Sequence, residues 1–260
     1  MRVLKFGGTS VGSVKNINQV IKIVSEASKE QKIAVVVSAI GGITDLLLKT
    51  GTEASTKDEA YKSTFQHIKE KHLEFTSTLI QDDQGAIDEV AALLKELDEL
   101  LYGIYLINEL SPKTIDKLLS YGEILSSSII ARAMYNQELD AKQKDSRDLI
   151  TTNNKHTKAS VNYKVTYSQL NYYFTKAKQR ITVLPGFIAS SESGEITTLG
   201  RGGSDFTAAI VAAGLGVDQL EIYTDVSGMF TANPKIVKQA KPIADISYHE
   251  AMELSHFGAK

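Results

Sequence analysis

Residues 1–13, MRVLKFGGTSVGS, and residues 31–45, QKIAVVVSAIGGITD, share one design, and together they decide the fold. Val3–Phe6 is a short strand pattern that runs into Gly7-Gly8-Thr9-Ser10. Ile33–Val37 is a continuous, mostly β-branched apolar run that ends in Ser38-Ala39-Ile40-Gly41-Gly42. Unbroken apolar strands belong to a sheet covered on both faces, because each face then needs an apolar side chain. Between the two, Val14–Lys29 carries Ile17, Val20, Ile21 and Val24 at helical spacing, which makes a βαβ unit.

The pattern extends outward from that unit. Ile87, Val90, Leu94, Leu97, Leu101 and Ile104 trace one buried helix face. Further helices are expected over Asp58–Ile80 and over Ser111–Tyr135, the latter opening with Ser-Pro as N-cap and first helical residue. The polar stretch Thr151–Asn162 reads as a surface loop. Ile181–Ile188 reads as one strand, and Ser190–Gly194 as a turn before Glu195–Leu199. Gly200–Asp205 opens a small-residue helix through Ala213, Leu220–Tyr223 is a strand, and Tyr248–Phe257 has helical spacing. No repeat or linker composition marks a domain boundary.

Composition narrows the function classes. With 260 residues, 42% of them apolar, the chain can bury one large α/β core or two smaller ones. A net charge of −2 offers no electrostatic case for nucleic acid or an anionic membrane as partner. Cysteine is absent, which excludes disulfides, thiolate metal sites and a cysteine nucleophile. The most apolar run, Ile33–Ile40, is far shorter than the roughly 20 residues of a membrane helix. The expectation is a cytoplasmic protein.

Ligands of open parallel sheets bind in the loops after the strands. Four such loops here are glycine-rich or charged: Gly7–Ser10, Ser38–Thr44, Gly200–Asp205 and Thr224–Gly228. Glycine admits a phosphate close to the backbone, where N–H groups at a helix start bind it. Familiar nucleotide motifs nevertheless fail. Gly7 and Gly12 have P-loop spacing, but Ser13-Val14 follows where Lys and Ser/Thr are required. Gly200-Arg201-Gly202-Gly203-Ser204-Asp205 lacks the third glycine of a dinucleotide fingerprint. The five histidines include no i, i+4 pair, so no zinc site is expected.

Taken in order, the blocks resemble a known family. Lys5-Phe6-Gly7-Gly8-Thr9-Ser10 is similar to the opening of aspartate kinases. The likeness continues through Ser38-Ala39, Gly42-Ile43-Thr44, Tyr121-Gly122-Glu123 and Gly186-Phe187-Ile188, then Gly200–Asp205, Thr224-Asp225-Val226 and Glu250–Lys260. This resemblance implies the amino-acid-kinase fold, a three-layer α/β/α sandwich with a mainly parallel sheet. It implies one catalytic domain over residues 1–260, with the amino-acid site in the N-terminal half and the ATP site in the C-terminal half. It further implies ATP-dependent phosphorylation of the L-aspartate side-chain carboxylate, which opens lysine, threonine and methionine biosynthesis, with Mg2+ as cofactor. Relatives continue beyond the position of Lys260 into regulatory domains, some into a homoserine dehydrogenase, and form homo-oligomers. The alternatives are a family member acting on N-acetylglutamate, glutamate or a nucleoside monophosphate, or a sensor that binds ligand without turnover.

Residue roles follow from the resemblance. Phosphoryl transfer to an ionised carboxylate needs no protein nucleophile, so catalysis reduces to positioning and charge neutralisation. Lys5 is the expected cation, helped by the backbone N–H groups of Gly7, Gly8 and Thr9, with Asp205 as the second catalytic side chain. Arg201 offers a planar fork to a substrate carboxylate. Glu123 and Asp205 suit the α-ammonium, Thr44 and Ser204 add neutral hydrogen bonds, and Ser38 suits either substrate or phosphate. For ATP the expected set includes Thr224, Asp225, Phe230, Lys235 and Lys260. Phe230 stands where relatives usually have tyrosine, Asn233 where they often have aspartate, and Lys235 where they often have arginine. Stacking survives the first change, whereas the last keeps charge and loses the bidentate fork. No protein ligand for magnesium is expected.

Overall fold

The computed structural model describes residues 1–81, 83–226, 228–233 and 236–256. Two compact units divide the chain, Met1–Tyr223 and Thr224–Lys260, at a point where composition gives no warning.

The first unit is built on the opening pair of strands. β1 (Arg2–Phe6) and β2 (Ile33–Val37) pair in parallel, with Leu4 opposite Val35 and Phe6 opposite Val37. α1 (Val14–Glu30) connects them and buries Ile17, Val20, Ile21 and Val24. Its N-cap is Ser13, whose hydroxyl accepts the Asn16 N–H. The sheet adds β3 (Ala141–Gln143), β5 (Ile181–Pro185) and β8 (Leu220–Tyr223), in the order β3-β5-β2-β1-β8. Every pairing within it is parallel. A second sheet joins β4 (Thr151–Thr152), β6 (Ile188–Ser191) and β7 (Ile196–Thr198).

Strand alternation sends the apolar side chains to opposite faces. Leu4, Phe6, Val35, Val37 and Val183 join one core. That core is completed by α1, α2 (Ile43–Ser55), α3 (Ala60–Leu79), α4 (Gln84–Ile107) and α5 (Pro112–Asn136). Val3, Ala34, Val36 and Leu184 join the other, with Leu170 and Phe174 of α6 (Tyr163–Lys176) and Ala208, Ile210 and Val211 of α7 (Gly203–Leu215). The expected three-layer α/β/α sandwich is therefore observed, and Ile33–Val37 is buried at every residue because it feeds both cores.

Two local expectations are corrected, and two helices join those read from the sequence. The Thr151–Asn162 stretch is a surface loop only after its first two residues: Thr151 and Thr152 are buried and form β4, their hydroxyls bonded to Gln169 and Thr197. The Ile181–Ile188 run is two strands, interrupted at Gly186-Phe187, where Phe187 takes a φ of +67°. A Cβ on Gly186 would stand 2.7 Å from Ser204 Cβ, so the chain bends where α7 presses closest. Finally, α2 starts immediately after the Ser38–Gly42 loop, and α6 fills the segment after Asn162, its N-cap.

In the second unit, α8 (Tyr248–His256) opens with a reciprocal cap. The Ser247 hydroxyl accepts the Glu250 N–H, and the Glu250 carboxylate accepts the Ser247 N–H.

One core residue ties stability to pH. His72 on α3 is fully buried, with Nδ1 2.7 Å from the Ile68 carbonyl and Nε2 without a partner. Burial lowers its pKa from 6.5 to about 4. Between those values the unfolded chain binds more protons at this site, so folding stability falls as pH falls, by about 3 kcal/mol in all. His72→Met fills the site without titrating. Urea midpoints measured near neutrality and near pH 4.5 should therefore converge in the mutant relative to wild type. A mutant as acid-labile as wild type would remove His72 from the effect.

Candidate active site

The carboxyl ends of β1 and β2 lie side by side, and their loops interlock through glycine. A Cβ on Gly8 would stand 3.2 Å from the Ala39 carbonyl, and one on Gly41 would stand 3.0 Å from the Gly8 carbonyl. Beyond this contact opens a cleft of about 380 Å3.

Two helices begin at the cleft in the same way. The N-cap of α2 is Gly42, at φ +83°, and that of α7 is Gly202, at φ +74°. Neither receives a side-chain cap, which leaves first-turn N–H groups for a ligand. Each helix carries an acid three residues on, Asp45 and Asp205, and both line the cleft.

Lys5 enters from β1, its side chain 9% exposed, with Nζ 2.7 Å from Asp205 Oδ1. A Cβ on Gly7 would stand 3.4 Å from the same Nζ, in ordinary van der Waals contact with it. Glu123 enters from the middle of α5, a helix started by Ser111 and Pro112 as expected. It is buried, and its Oε2 has no hydrogen-bond partner. Burial pushes its pKa well above the usual carboxylate range, against the opposing pull of the Ala39 hydrogen bond and the Lys5 charge. Arg201 lies in the turn before α7, exposed, and makes no ion pair among the described residues.

The cleft thus gathers Lys5, Gly7, Gly8, Ser38, Thr44, Glu123, Arg201, Ser204 and Asp205, nine residues singled out from sequence. Thr9 stays outside, its carbonyl accepting from Asn16 Nδ2. Asp45 and Phe187 were missed. The repeated Gly-x-x-Asp interval of Gly42–Asp45 and Gly202–Asp205 could have flagged the former. Phe187 stood in one of the blocks that resemble the family, but no site role was read for it.

Thr224, Asp225 and Phe230 belong to the second unit. There Thr224 Oγ1 donates to Asp225 Oδ1 at 3.0 Å, and Phe230 bridges to Pro242. Lys235 and Lys260 lie outside the described residues. Among the described residues no group of three or more His, Asp or Glu side chains could hold a metal ion, and no helix is long and apolar enough to cross a membrane.

A family model, that of the amino acid kinase family, matches residues 1–260. The chain belongs to that family. Curated relatives of this amino acid kinase include the chloroplastic bifunctional aspartokinase/homoserine dehydrogenase 2 of Arabidopsis thaliana, 32% identical over 260 residues. The match covers 99% of this chain and 28% of that protein. Aspartokinase 1, chloroplastic, of the same plant is 33% identical over 267 residues, covering 99% of this chain and 46% of that protein. Among solved structures, E. coli aspartokinase III in complex with aspartate and ADP superposes with a TM-score of 0.89 at 30% identity. All of this amino acid kinase chain is covered there, and 57% of the E. coli chain. The chain therefore spans between about a quarter and about a half of the curated relatives described.

Proposed function

We propose that this amino acid kinase transfers the γ-phosphoryl group of ATP to the side-chain carboxylate of L-aspartate, giving 4-phospho-L-aspartate. The observation that carries the reading is the charge pattern of the cleft. Glu123 is a buried carboxyl with an empty acceptor, while Arg201 is a guanidinium without an ion-pair partner among the described residues. A free α-amino acid carries the two complementary charges, and an N-acetylated one lacks the ammonium that would fill Glu123. The bound aspartate and ADP of E. coli aspartokinase III support the same substrates here.

In this mechanism the aspartate β-carboxylate oxygen attacks the γ-phosphorus as the bond to the β–γ bridging oxygen breaks. An acyl phosphate forms, ADP leaves, and no proton has to move. Arg201 grips the α-carboxylate in a planar fork, and Glu123 with Asp205 receives the α-ammonium. Ser38, Thr44 and Ser204 orient the acceptor through neutral hydrogen bonds. Lys5 and the open N–H groups of the glycine loops stabilise charge gathering on the transferring phosphoryl oxygens. The described residues do not fit a protein cage for magnesium. When bound, the ion would be held by the nucleotide's phosphates and by water, and it would offset their negative charge. Thr224, Asp225, Phe230, Lys235 and Lys260 are assigned to ATP on the family resemblance, as is assembly of the full-length protein into a homo-oligomer. The product would feed lysine, threonine and methionine synthesis.

The experiment is ADP release against a panel of acceptors: aspartate, glutamate, N-acetylglutamate and nucleoside monophosphates. Aspartate should lead. The methylene surplus of glutamate should cost roughly 10–200-fold in kcat/KM, since it tests fit alone. Preference for N-acetylglutamate or a nucleotide would overturn the reading.

A further inference from the structure

Asp116 is a fully buried carboxylate that the chemistry above does not use. It stands on α5 two turns before Glu123, on the same side of the helix. Its Oδ1 accepts from Thr198 Oγ1 at 2.6 Å and from the Thr157 N–H at 3.1 Å. Its Oδ2 accepts from the same N–H at 2.9 Å and from His156 Nδ1 at 2.9 Å. His156 Nε2 lies 3.4 Å from Glu195, which in turn pairs with Lys113 at the start of α5.

What this cluster holds is unusual. Thr157 has a φ of +67°, a left-handed conformation that is strained for a β-branched residue. Such strain persists only where surroundings over-determine it, and Asp116 grips this very N–H twice. Directly against the strained residue lies Gly200. A Cβ there would stand 3.3 Å from the Thr157 carbonyl and 3.4 Å from Lys158 Cγ. Gly200 opens the turn that carries Arg201, and its carbonyl accepts the Gly203 N–H at 2.9 Å. Asp116 is thus linked to the Arg201 turn from two sides: through Thr157, whose carbonyl lies within reach of a Cβ at Gly200, and through Thr198, two residues before Gly200 in the chain.

We propose that Asp116 is a positioning residue: by clamping Thr157 in its left-handed conformation, it sets the Gly200–Gly202 turn and so aims Arg201 at the substrate carboxylate. One rigid helix then references both ends of the amino acid, the ammonium through Glu123 and the carboxylate through Asp116. The role of Arg201 rests on the function proposed above, whereas the clamp on the turn does not.

The test is Asp116→Asn in the full chain, which turns one acceptor into a donor facing donors. Amide hydrogen exchange of residues 200–203, measured without substrate, should quicken in the mutant. Adding Thr157→Gly should slow it again, because glycine adopts that φ without a clamp. In kinetics, the aspartate KM should rise about ten- to a hundredfold, while kcat and the ATP KM stay within a few-fold. In an Arg201→Lys background Asp116→Asn should add little, since both changes act on one contact. Should Asp116→Asn fail to fold, His156→Ala removes one donor from the same carboxylate and carries the same readouts. Unchanged exchange at the turn, or an equal KM rise with and without the Arg201 change, overturns the proposal. The exchange measurement involves no substrate, so it decides the clamp even where the assigned function fails.

Discussion

Lys5→Ala should lower kcat by about 10²–10³ while leaving the aspartate KM within a few-fold of wild type. The size follows from where the ammonium sits. Its side chain is almost wholly enclosed, so its charge is poorly screened. Within the cleft Asp205 holds it at 2.7 Å. As the phosphoryl group transfers, its oxygens offer a stronger anion to the same cation, so the interaction grows towards the transition state. Steady-state kinetics with aspartate and ATP varied separately is the measurement. A mutant that keeps wild-type kcat would take Lys5 out of the chemistry.

Succinate, which is aspartate without its α-amino group, should be phosphorylated about 10⁴-fold less efficiently in kcat/KM. A merely loose pocket would discriminate far less. The large factor comes from Glu123, whose buried Oε2 has no partner of its own and which succinate would leave unpaired. Glu123→Gln should narrow the gap by weakening aspartate rather than by improving succinate. Comparable rates for the two acids in the wild-type protein would remove the ammonium assignment.

How far the chain could be read depended on whether the deciding contact was local. Ile33–Val37 declared a doubly covered strand because all five residues must be apolar to serve two cores, and all five are buried. Helix α6 escaped notice because its sequence, YKVTYSQLNYYFTK, buries only Thr166, Leu170 and Phe174, a single stripe in a polar segment. Helix α2 was hidden behind its own glycine N-cap, where the eye stops at a loop. The break at Gly186-Phe187 depends on the approach of Ser204, eighteen positions downstream, and no window on the strand itself reveals it. Within the cleft, residues next to strand-end glycines were legible because glycine loops there have few other uses. Asp116 and His72 were not: an acid or a histidine in a helical pattern looks like part of a solvated face until the partner elements close over it.

The empty acceptor on Glu123 also bears on how long the protein lasts. A buried carboxyl with one unpartnered oxygen burdens the fold, and a bound ammonium removes that burden. Substrate occupancy then shifts the balance away from opened, protease-sensitive forms by mass action. In a cell the abundance of such an enzyme would follow its amino-acid supply: well-fed protein survives, starved protein is cleared. Aspartate should accordingly slow limited proteolysis of the purified chain, and succinate at the same concentration should not.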